Sequence, residues 1–165
     1  MDEWHDFFLA AAGASAVLAG LVFVGVSINL QMIMADPTYG LVNRALEALI
    51  LLMAVLIATC LLLVPDQGTV VAGVEVLAVG VIDWSAIVSI QLLQLRNWQS
   101  LDPSFGRHFA SRVVFGQAAT LPFVVAGIAL VNRGSEGPYW LVGGVVLSFV
   151  VAVIDAWVLL VEIHR

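Results

Sequence analysis

Lysine is absent from this chain, and charge of either sign is scarce. Of its 165 residues only 11% are charged, against roughly 25% in an ordinary soluble domain. All six bases are arginine, and twelve acids set against them leave a net charge of −6. So sparse a charge set excludes a disordered tail and a soluble globular enzyme. A chain without a basic face also has no electrostatic footprint for a nucleic acid. Cysteine is nearly missing as well. Cys60 stands alone, so neither an intrachain disulfide nor a Cys-rich metal site can form. The chain has no H-E-x-x-H, no G-x-S-x-G and no phosphate-binding P-loop, so no enzyme activity is expected. No cofactor or metal is expected either. His5, His108 and His164 lie at ends or in a loop, not mid-span where haem ligation within a bundle would need them.

What the chain has is apolar surface. Hydrophobic residues make up 62% of it, and the mean hydropathy is +1.06. A helix crossing a bilayer needs about 20 mostly apolar residues, because the hydrocarbon core is ~30 Å thick and each residue rises ~1.5 Å. Five stretches meet that test, at about 7–30, 41–64, 70–95, 110–131 and 139–163. The segments between them, 35–40, 65–68, 101–106 and 132–138, carry the Pro and Gly that end and start helices. Continuous apolar runs of this length do not fit the alternating ten-residue strands of a membrane β-barrel. The expectation is an all-α fold, a single five-helix transmembrane domain over residues 1–165, with the lipid bilayer as its first partner. The first stretch lacks the basic lead of a signal peptide, opening Asp2, Glu3, His5 and Asp6, and is expected to be a retained helix.

The arginines assign the sides. One, Arg133, falls with the N-terminus, whereas Arg44, Arg96, Arg107, Arg112 and Arg165 fall on the opposite side. The positive-inside rule then predicts a cell-membrane protein with its N-terminus outside and its C-terminus cytoplasmic. Trp4, Trp98, Trp140 and Tyr39 lie near helix ends, the depth that suits aromatic rings. Arginine as the sole base, with much Ala, Val and Gly, fits a GC-rich bacterial genome.

Two connecting segments share a phrase: Asp36-Pro37-Thr38-Tyr39-Gly40 matches Asp102-Pro103-Ser104-Phe105-Gly106 by residue type. An arginine follows each at the mouth of the next helix, Arg44 and Arg112. The pattern reads as a parallel duplication of a helix hairpin, with a fifth helix closing the fold; the competing reading is that Asp-Pro turns recur by chance in short loops.

Three acids lie inside the apolar stretches: Glu75, Asp83 and Asp155. An ionised side chain at the bilayer centre costs about 2.5–3.5 kcal/mol on insertion scales, so such residues face protein or water, or stay protonated. Ser148, Asp155 and Glu162 recur every seven residues and make one polar seam, while Asp83 and Gln94 share a face of their helix. The functional reading is a path for inorganic cations or protons, with a symmetric homo-oligomer turning one acid into a ring. The competing reading is a buried ion-pair network, with Arg44 and Arg112 reaching inward to Asp155 or Asp83 and Glu47 pairing with Arg44 three residues away. Gly13, Gly20 and Ser27 make a small-residue stripe that either packs inside the subunit or lines a pore or an oligomer contact. Pro122 is expected to bend its helix. Cys60 is read as an inert apolar filler. The function expected is therefore a homo-oligomeric cation channel or channel-like transport unit; the alternative is a non-transporting accessory protein that binds another membrane complex.

Overall fold

The computed structural model describes residues 2–35, 41–96, 105–132 and 136–162. They form a 3-10 turn (Asp2–Trp4) and six α-helices: α1 (His5–Ile28), α2 (Leu30–Ala35), α3 (Leu41–Leu62), α4 (Thr69–Arg96), α5 (Phe105–Val131) and α6 (Gly137–Glu162). Five of these, α1, α3, α4, α5 and α6, are long and apolar enough to cross a membrane. Among the described residues there is no strand. The shared phrase of the connecting segments falls largely outside the described residues, which take in only its final Phe105 and Gly106, as the start of α5.

Local chemistry accounts for the edges. α1 ends at Ile28 because the Asn29 amide donates to the Gly25 carbonyl at 2.9 Å, competing with the helical ladder, and the chain resumes as the short α2. The link from α3 to α4 turns at Asp66, whose φ of 57° lies in the left-handed region that Asp tolerates better than most residues. Gly137 and Pro138, expected in a loop, instead open α6, where proline's missing N–H leaves nothing unsatisfied. α5 runs unbroken through Pro122.

Helices α3, α4, α5 and α6 form an antiparallel ring, each packed on two neighbours; α1 lies outside it against α3 and only brushes α6. At one end the ring closes on a dry core that includes Val55, Ala58, Val76, Phe123, Leu130, Leu141 and Val145, with Phe8 of α1 joining it. Trp4 meets Tyr139 edge-on there, with ring centroids 5.0 Å apart, and ties the start of α1 to the start of α6.

Glycines set how tightly this end closes. A Cβ at Gly73 would lie 2.6 Å from the Val131 nitrogen, one at Gly80 2.9 Å from the Val124 nitrogen, and one at Gly127 2.6 Å from the Leu77 Cα. Backbone thus rests on backbone along α4 and α5. In lipid, where tails are as apolar as leucine, such close approach is what holds helices together. Leu21, Phe23, Ile28, Ile82, Val114 and Trp157 point outward, as a lipid-facing surface requires.

Candidate functional site

Polar side chains gather at the opposite end, within the first turns of α3 and α5 and the last turns of α4 and α6. Arg44 and Glu47 sit three apart on α3 and face the ring. Arg44 Nη1 donates to Asp155 Oδ1 of α6 at 3.1 Å. Arg112 of α5 crosses the ring, and its Nη2 donates to Glu47 Oε2 at 2.6 Å. Glu47 is therefore matched to Arg112 on the diagonal helix, not to Arg44 on its own; the guanidinium stem is long enough to span the ring, and Arg44 is already turned toward α6. Both pairs are mostly enclosed, with side-chain exposures of 19% and 6% for Arg44–Asp155 and 15% and 8% for Arg112–Glu47.

Amides extend the network to α4. Arg112 Nη1 donates to Gln94 Oε1 at 3.4 Å, Gln117 Nε2 to Gln91 Oε1 at 3.1 Å, and Trp84 Nε1 to Gln117 Oε1 at 2.7 Å. Gly116 makes room for this, since a Cβ there would sit 2.7 Å from Gln91 Nε2. Beside the ion pairs is a cavity of about 160 Å³. Arg44, Glu47, Ser111, Arg112, Gly116 and Asp155 supply its polar wall, and Leu51, Ile87, Phe115, Val151 and Ile154 the rest. Ser111, Phe115 and Ile154 are exposed, so the cavity reaches the protein surface between α5 and α6.

Asp83 stands apart. It lies near the midpoint of α4, is 3% exposed, and neither carboxyl oxygen has a hydrogen-bond partner among the described residues. Ser148 of α6, 0% exposed, likewise has a hydroxyl without a partner there. Unpartnered buried polar groups are uncommon and call for an explanation, most of all at mid-membrane depth.

The other sequence-derived candidates divide. Of the seam expected on the last helix, Ser148 and Asp155 are both buried; the Glu162 side chain lies outside the described residues. Gln94 joins Arg112, away from Asp83. Glu75 belongs to the other end, where Gln67 Nε2 donates to its Oε2 at 2.6 Å. A Cβ added at Gly13 or Gly20 would meet nothing within 4 Å, and with Ser27 these residues face outward. Among the described residues the stripe packs against no other helix, because α1 meets α3 through its other side. Cys60 is exposed on the outside of α3 and fills no core. A ring of Asp83 or Asp155 about an oligomer axis is also not what this geometry offers, since both point into their own bundle. Gln91 and the glycines Gly73, Gly80 and Gly127 were not singled out from the sequence, although the seven-residue spacing of Gly73 and Gly80 equals that of Gly13 and Gly20. Among the described residues no three His, Cys, Asp or Glu side chains converge as a metal site.

The fold and this cluster define a class: a small all-helical protein with five helices that fit a membrane and a charged network inside the bundle. No protein-family model, curated protein or solved structure matches the chain.

Proposed function

We propose that this chain is a cation-translocating membrane unit, with its path inside each subunit and its acids as stepping points. The observation that carries the reading is Asp83: a carboxyl at the middle of a membrane-length helix, buried and unpartnered, is retained against a substantial insertion cost. The polar cavity supports it, since it opens at the surface and its lining includes Ile87, one turn from Asp83 on α4. The arginine-rich end is assigned to the cytoplasm and the N-terminus to the outside. Homo-oligomerisation through the open face of α1 is part of the reading, as is descent of the hairpins α1–α3 and α4–α5 from one duplicated hairpin. The oligomer would frame the subunits, and each would carry its own path.

Vesicles reconstituted with the purified protein test this. They are expected to leak protons or monovalent cations, and Asp83→Asn is expected to reduce the leak strongly while leaving the folded state intact. Tight vesicles over a wide pH range would exclude transport. The same α1 face favours a second reading, an accessory protein that docks on another membrane complex; it gains if the vesicles stay tight and the purified protein is a monomer.

A further inference from the structure

We propose that Asp83 and Ser148 hold one dehydrated, hard monovalent cation of the sodium type at the centre of the bundle. The inference rests on the translocation reading and names the ion that occupies the path. Contacts at the glycines fix the register of the ring, with backbone against backbone at Gly80 and side chains against the backbone at Gly116, Gly137 and Gly144. Gly80 lies against Val124, and Gly116 against Ile87 and Gln91, so Asp83 is level with Thr120 on α5. Gly137 lies against Leu130 and Gly144 against Phe123, so Ser148 is level with Ala119 and Thr120. Asp83 and Ser148 thus occupy the same level on diagonal helices of the ring, both buried, and both with oxygens that have no partner among the described residues.

The oxygens at this level suit a hard cation. Asp83 supplies a carboxylate and Ser148 a hydroxyl. The Thr120 hydroxyl donates to the Gly116 carbonyl at 3.1 Å, which leaves its oxygen lone pairs to accept. Oxygen-only donor sets select hard ions. Charge decides the valence: one carboxylate neutralises one monovalent cation, and the Arg44–Asp155 and Arg112–Glu47 pairs are already balanced. A divalent ion would leave an uncompensated charge in the least tolerant part of the membrane.

The test is equilibrium binding of radioactive sodium to the full-length protein in detergent, at constant ionic strength held with choline chloride. Saturable binding of a single ion per chain is expected, displaced by lithium and far less by calcium at equal concentration. Asp83→Asn is expected to abolish it. Ser148→Ala, which keeps the carboxyl and removes only a hydroxyl, is expected to weaken it by about tenfold, in line with the loss of one ligand to a charged group. Absence of saturable sodium binding overturns the proposal, as does unaltered binding in Ser148→Ala or retained binding in a folded Asp83→Asn. A proton leak that depends on Asp83, with no sodium binding, overturns the sodium site while leaving the translocation reading standing.

Discussion

The two ends of the bundle are closed by opposite means. At the dry end, Gly73, Gly80 and Gly127 bring α4 and α5 into backbone contact, and an apolar core fills what is left. At the arginine end the helices stand far enough apart for two guanidinium groups, two carboxylates and a cavity of about 160 Å³. Small residues allow one; long, charged side chains require the other. The contrast shows how a short chain can hold its shape at one end while keeping space at the other. Dispersion between close backbones is short-ranged and rigid, whereas ion pairs across a gap tolerate water beside them.

The contrast can be broken at several points. The largest effect is expected from Gly127→Val, whose Cβ would meet the Leu77 backbone at 2.6 Å. Loss of the folded protein is expected, beyond the ~1–3 kcal/mol of ordinary overpacking, and size-exclusion in detergent would report it. A well-folded Gly127→Val protein would mean that the dry end is not held by backbone contact.

Next comes Glu47→Leu, which strands Arg112 inside the ring. A cost of about 3–5 kcal/mol is expected, whereas the double variant Glu47→Leu/Arg112→Leu is expected to recover most of it. Thermal unfolding of the single and double variants measures the coupling, and purely additive losses would show that the pair does not hold α3 to α5. Gln117→Leu, which removes the bonds to Trp84 and Gln91, is expected to cost about 0.5–1.5 kcal/mol for each bond lost. It should also shift the fluorescence of Trp84 more than that of the other tryptophans.

Least affected within the subunit is Gly20→Val, at a position with open space around it, for which a change within about 0.5 kcal/mol is expected. Its effect belongs to assembly. If α1 joins copies of the chain, Gly20→Val should lower the oligomer mass in mild detergent without altering the unfolding temperature of the subunit.

Much of the architecture was legible because it follows from runs of neighbouring residues. Apolar length marked five helices, and the expected edges fall within two residues of those observed except at α5, which starts at Phe105 where 110 was expected. They miss where a single side chain intervenes, as Asn29 does at the end of α1 and Pro138 at the start of α6. The site was legible only in its members. Arg44, Glu47, Arg112, Asp155 and Asp83 were all named by the cost of charge in an apolar run. Of their partners, Arg44–Asp155 was among the pairings the sequence allowed, whereas Arg112–Glu47 was not, because that pair joins diagonal helices.

Two pairs of similar local sequence mark the division. Gly13 and Gly20 on α1 and Gly73 and Gly80 on α4 share one spacing, yet the first pair faces open space and the second touches a neighbouring backbone. Asp83 and Asp155 both follow Val-Ile, yet Asp155 meets Arg44 and Asp83 meets no partner among the described residues. Hydropathy, helix length and scarcity of charge are sums along the chain, and the sequence alone determines them. Which face of a helix meets a neighbour, and which acid lies within reach of a guanidinium, depends on rotation and register between helices far apart in sequence. Only the tertiary structure decides those.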